Sequence, residues 1–132
     1  MWVGRFAVWS GNLQHRRSIL VAEDEPIIAL DLVWAIGDAG HLAIGPSATV
    51  ADALALLDRE PVCAAILDVN LLDGDITPVV EYLVARGVPL VLHTGVGVPP
   101  ELAARMPDLI VRLKPTSAAD LVALIETMLE RG

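Results

Sequence analysis

Four places in the chain set polar groups directly behind a short apolar run. Glu23 and Asp24 follow "SILVA", Asp68 follows "AAIL", Thr94 follows "PLVLH" and Lys114 follows "LIVRL". A carboxylate at the end of a buried run is costly unless a partner compensates it. Glu23, Asp24 and Asp68 bring three negative charges and Lys114 brings one positive, which leaves minus two. If these groups meet, the carboxylates repel, and one takes up a proton unless a cation is present. A divalent ion cancels the remainder. An all-oxygen donor set with no Cys or His cluster suits a hard ion, Mg²⁺ rather than Zn²⁺. Mg²⁺ keeps several waters and takes phosphate oxygens as ligands, which points to phosphoryl chemistry. In that chemistry Asp68 is a carboxylate nucleophile that accepts a phosphoryl group as an acyl phosphate. Mg²⁺ and Lys114 neutralise charge on the transferring group, and the Thr94 hydroxyl donates to a phosphoryl oxygen. Taken singly, each residue has a plainer reading. Asp68 is then a loop or capping carboxylate, Glu23–Asp24 a capping pair before Pro26, Thr94 a turn residue and Lys114 a surface lysine.

The elements that must bring these residues together alternate along the chain. Strands are expected at 18–23, 41–45, 62–68, 89–94 and 109–113. Helical patterns fill the spaces between and after them. The first runs from Pro26, which a first helical turn tolerates, to a stop at Gly40. The second opens with Thr49 and Asp52 at capping spacing and ends before Pro61. The third covers 76–87, the fourth has at most two turns at 99–106, and the fifth starts at Ser117. In the fifth, Leu121, Leu124, Ile125, Met128 and Leu129 form one stripe. Strict alternation means an α/β fold: a doubly wound, five-stranded parallel sheet with helices on both faces. In such folds the ligand site lies beyond the carboxyl ends of the strands, where the strand order reverses. The polar groups named above stand at those ends. The second strand ends at Gly45–Pro46 and adds no charge.

Bulk composition narrows the function classes. The chain has 132 residues, enough for one domain with a substantial core. Its net charge of −8 argues against a nucleic-acid partner, since phosphate binding needs clustered Lys and Arg. No apolar window is long enough for a membrane helix. The single cysteine, Cys63, excludes an internal disulfide, fits a reducing cytoplasm and is expected as a small buried hydrophobe. His15, His41 and His93 are scattered and suggest no metal site. In the first helix, Asp31 is expected at the surface and Trp34 half-buried. Residues 1–17 read as an extension without fixed structure ahead of a domain at 18–132. Trp2, Phe6 and Trp9 in that extension share one helical face, the alternative being an anchor for a partner.

"LVAEDEP", "ILDVNLLDG", "LHTG" and "LKP", in this order and each at a strand end, resemble the four signatures of response-regulator receiver domains, here of single-domain type. The resemblance spans residues 18–132. It implies a flavodoxin-like strand order 2-1-3-4-5 and a phosphoacceptor at Asp68. It implies Mg²⁺ held by Asp24 directly, by Glu23 through water, by Asp68 and by the backbone carbonyl of Asn70. Thr94 and Lys114 match the family's switch hydroxyl and charge-sensing lysine. The implied phosphodonor is a histidine kinase or phosphotransfer protein. Output would pass to a downstream protein target, and a second copy of the chain is a further candidate partner. The chain departs from the commonest form of the family at Val111, where many members carry Tyr or Phe, and at Leu72, where many carry Pro. The segment between Thr94 and Lys114 is short and carries Pro99, Pro100 and Pro107, so a stunted fourth helix is expected. Two rival functions remain open at this point. One is a receiver-like binding scaffold never phosphorylated in use. The other is a small Mg²⁺-dependent phosphatase, which typically has a second Asp where this chain has Asn70. The favoured expectation is a phosphoacceptor, not an enzyme beyond self-phosphotransfer and autodephosphorylation.

Overall fold

The computed structural model describes residues 16–131. The expectations for Trp2, Phe6, Trp9 and His15 lie outside the described residues. Strand β1 (Ser18–Ala22) leads into helix α1 (Pro26–Asp38), then β2 (Leu42–Ser47) and α2 (Val50–Arg59). Strand β3 (Ala64–Leu67) is followed by a two-stranded hairpin, β4 (Asn70–Leu71) and β5 (Gly74–Asp75), and by α3 (Thr77–Ala85). Then come β6 (Leu90–Thr94), α4 (Pro100–Arg105), β7 (Ile110–Leu113) and α5 (Ala118–Arg131). The main sheet is parallel with order β2-β1-β3-β6-β7, which is the expected 2-1-3-4-5 counted over its own five strands. The order reverses between β1 and β3.

Alternate residues of each strand serve opposite faces. Leu20, Ala22, Ala65, Leu67 and Leu92 pack under α2 and α3 with Val50, Ala53, Leu57, Val79, Val80 and Leu83. Ile19, Val21, Ile66 and Val91 pack under α1 and α5 with Leu32, Ile36, Leu121 and Ile125. The three inner strands are thus buried on both sides, as a parallel sheet requires. The edge strand β7 departs from that expectation, with Leu113 64% exposed, because no further strand and little helix covers it. Local chemistry starts the helices as expected. Pro26 opens α1, Thr49 Oγ1 accepts the Asp52 N–H at 3.0 Å, and Ser117 Oγ accepts the Asp120 N–H at 3.1 Å.

Several expectations are corrected. Strand β2 does not stop at Gly45–Pro46 but continues to Ser47 through an irregularity in its pairing with β1. Gly45 makes this possible: its φ is +104°, and a Cβ there would lie 2.7 Å from the Val21 carbonyl oxygen. Cys63 is exposed rather than buried, because it lies one residue ahead of β3 and outside the sheet's helical cover. Trp34 is 66% exposed rather than half-buried, since α1 turns Ala29, Leu32 and Ile36 inward and leaves Trp34 on the opposite side with Ile27 and Leu30. Asp31 is at the surface as expected. The β4–β5 hairpin was not anticipated.

Candidate functional site

Strand register decides what meets at the carboxyl end of the sheet. Ala22 of β1 is level with Leu67 of β3, so the next residues, Glu23 and Asp68, emerge side by side. The Asp68 N–H donates to the Ala22 carbonyl at 2.8 Å, and the Glu23 N–H donates to the Ser47 carbonyl at 2.9 Å. Both side chains are buried, Glu23 with 3% and Asp68 with 8% exposure. Lys114 sits at the end of β7, and its N–H donates to the Thr94 carbonyl at 2.8 Å. From there its long stem carries Nζ to 3.1 Å from Asp68 Oδ2, 3.2 Å from Glu23 Oε1 and 2.6 Å from Glu25 Oε2.

The electrostatics follow from that crowding. Burial raises the Glu23 carboxyl, the Glu25 N–H on Glu23 Oε2 lowers it, and the neighbouring Asp68 raises it again, so it ionises near pH 7. For Lys114 burial works to lower the ammonium, but the hydrogen bonds it donates to Glu25, Asp68 and Glu23 outweigh it and push the group up. His93 is buried on the neighbouring strand end. Burial lowers its imidazole first, and the Lys114 charge adds to that.

The structure brings Glu23, Asp68 and Lys114 together and treats the other named residues differently. Asp24 is half-buried and is not part of the acidic group. Glu25 is, with one carboxylate oxygen each from Glu23, Glu25 and Asp68 within 4.8 Å of one another. Sequence reasoning passed over Glu25, although the acidic run Glu23-Asp24-Glu25 before Pro26 carried the signal. Asn70 is exposed at the start of β4, two residues past Asp68. Thr94 is fully buried, and its hydroxyl grips its own loop: it donates to the Gly97 carbonyl at 3.3 Å and accepts the Val96 N–H at 3.2 Å. Val111 is half-buried opposite Leu92.

The residues present fit a hard divalent cation. The donors are all oxygen, and three carboxylates face one ammonium, which leaves negative charge for a cation to balance. Proton transfer needs no part in what such a site does best, which is to present an ionised carboxylate to an electrophilic phosphorus while cations take up charge on the equatorial oxygens.

No family model matches the chain, and no curated protein matches it. Solved structures do. The chain is 39% identical to SdrG from Sphingomonas melonis Fr1, covering 86% of this chain and 96% of that one, with a TM-score of 0.71. It is 30% identical to the response regulator PhyR from Brucella abortus, with a TM-score of 0.72. That match covers 97% of this chain and 55% of PhyR, so the chain spans about half the length of that protein. A CheY-like response regulator receiver domain protein from Methanospirillum hungatei JF-1 has the same fold at 22% identity, covering 87% and 94% of the two chains, with a TM-score of 0.76.

Proposed function

The chain belongs to the receiver-domain family of response regulators, and from that premise we propose that Asp68 accepts a phosphoryl group from a phosphohistidine on a partner kinase or phosphotransfer protein. The observation that supports this most directly is the meeting of Asp68, Glu23 and Lys114 within about hydrogen-bond distance at the point where the sheet order reverses. In the transfer the donor's P–N bond breaks as a bond forms between phosphorus and an Asp68 oxygen. The imidazole leaves and takes up a proton from solvent. Lys114 stays charged throughout and follows the charge from the Asp68 carboxylate to the phosphoryl oxygens. Glu23 and Glu25 hold that ammonium in place. Bound Mg²⁺ would neutralise the incoming phosphoryl oxygens, with Glu23, Asp24, Asp68 and the Asn70 carbonyl as the ligands that the family implies and Glu25 added by geometry. For the Thr94 hydroxyl to donate to a phosphoryl oxygen it must first release the Gly97 carbonyl. That exchange would couple phosphorylation to the β6–α4 loop. In this proposal the chain is a phosphoacceptor in a phosphorelay of the cytoplasm, with output through contacts to a downstream protein, and not an enzyme acting on other substrates.

The test is incubation of the full chain with Mg²⁺ and a small acyl or amido phosphate donor. Intact mass should rise by one phosphoryl group in the wild type and not in Asp68→Asn. Equal incorporation in both, or none in the wild type, would refute the assignment.

A further inference from the structure

The carboxyl end of β2 carries no charged group, yet three separate hydrogen-bonded ties run from its junction with α2 to the two loops of the site. Ser47 accepts the Glu23 N–H at 2.9 Å, which fixes the loop of the acidic run. Ala48 accepts the Leu72 N–H at 3.0 Å, which fixes the loop beyond Asp68. The third tie is a side chain. Asp73, at the turn of the β4–β5 hairpin, reaches across to α2, where Oδ1 accepts the Val50 N–H at 2.6 Å and Oδ2 accepts the Ala51 N–H at 3.1 Å. These two bonds hold the Asp73 carboxyl below its ordinary range. The hairpin they anchor is otherwise slight, two pairs of residues long, and it starts at Asn70. At its base the Ile76 N–H donates to the Val69 carbonyl at 2.7 Å, which closes the hairpin one residue after Asp68.

We infer, on the strength of the phosphoacceptor function proposed above, that Asp73 is a positioning residue for that site. It pins the hairpin that carries the Asn70 carbonyl, two residues past Asp68, against the same junction that holds Glu23. The spacing between the two ligand-bearing loops is thereby set by α2 and not by the hairpin's own weak pairing. α2 has a cap of its own in the Thr49 hydroxyl on the Asp52 N–H, and Asp73 takes the Val50 and Ala51 N–H groups ahead of it from outside the helix. Thr49 therefore supplies an internal control, since it caps the same helix without touching the loop.

The experiment compares Asp73→Ala, Asp73→Asn and Thr49→Ala in the full chain. In metal-free protein, Asp73→Ala should move the amide resonances of Asn70 and Glu23, and Thr49→Ala should leave them in place. On titration with Mg²⁺, Asp73→Ala should weaken affinity by about tenfold, in the range seen when a group supporting a metal ligand is removed. Thr49→Ala should weaken it less than twofold, and Asp73→Asn, which keeps one accepting oxygen, should fall between. Unchanged Asn70 and Glu23 amides in Asp73→Ala, or equal Mg²⁺ losses in Asp73→Ala and Thr49→Ala, would overturn the inference. A wild-type chain that takes up neither Mg²⁺ nor a phosphoryl group would instead overturn the proposed function.

Discussion

Lys114 reaches three carboxylates at once, and two of them are buried. Its loss leaves Glu23 and Asp68 facing each other without that ammonium, so Lys114→Ala should cost about 2 kcal/mol at pH 8. The cost should shrink at pH 5, where Glu23 is protonated in the folded chain. Urea midpoints at the two pH values would check this, and equal losses would contradict it. Glu23 itself ionises near 7 when folded and near 4.5 otherwise. The folded state therefore holds an extra proton between those values, and this group's contribution to metal-free stability is present below pH 4.5 and lost as pH rises to 7. Glu23→Gln has no such proton to lose, so its stability profile should be flatter across that window than the wild type's. Saturating Mg²⁺ should flatten the wild-type profile in the same way. Asp68, Glu23 and Lys114 were legible in the sequence because each directly follows an apolar run whose burial forces a polar end to find a partner. Glu25 was not, because the turn into α1, rather than a strand, brings it back to the site. Cys63 and Trp34 were misread because apolar neighbours in sequence do not say which face a residue takes.

At the scale of elements, the strand–helix alternation was legible because the runs differ in period and are punctuated by Pro26, Gly40, Pro61 and Gly87. The continuation of β2 past Pro46 and the β4–β5 hairpin were not. A Gly-Pro pair reads as a turn, although β2 is an edge strand where Pro is tolerated, and a pair of two-residue strands has no periodicity to detect. The β2 irregularity rests on Gly45, whose side would collide with the Val21 carbonyl. Gly45→Ala should therefore lose more than about 1 kcal/mol and should disturb the Glu23 N–H bond to Ser47, visible as a shifted Glu23 amide. Thermal denaturation with no change in midpoint would contradict this. Thr49→Ala should cost about 1 kcal/mol through its cap alone.

The whole molecule is unevenly secured. Strands β1, β3 and β6 are buried on both faces and carry the centre of both apolar clusters. No helix among the described residues is long and apolar enough to cross a membrane. Amide exchange should be slowest in these three strands and fastest in α4, and comparable protection in α4 and β3 would contradict the gradient. Helix α4 has six residues, one of them buried, Leu102, and an exposed ion pair from Arg105 to Glu81 of α3. This loosely moored helix begins three residues after the Thr94 loop bonds at Val96 and Gly97. A short, proline-led helix of this kind can detach and reseat without unmaking the rest of the domain. With a single buried side chain and an exposed ion pair as its moorings, it has little to set against a rearranged hydroxyl upstream, so a small change at Thr94 would weigh heavily on where it sits.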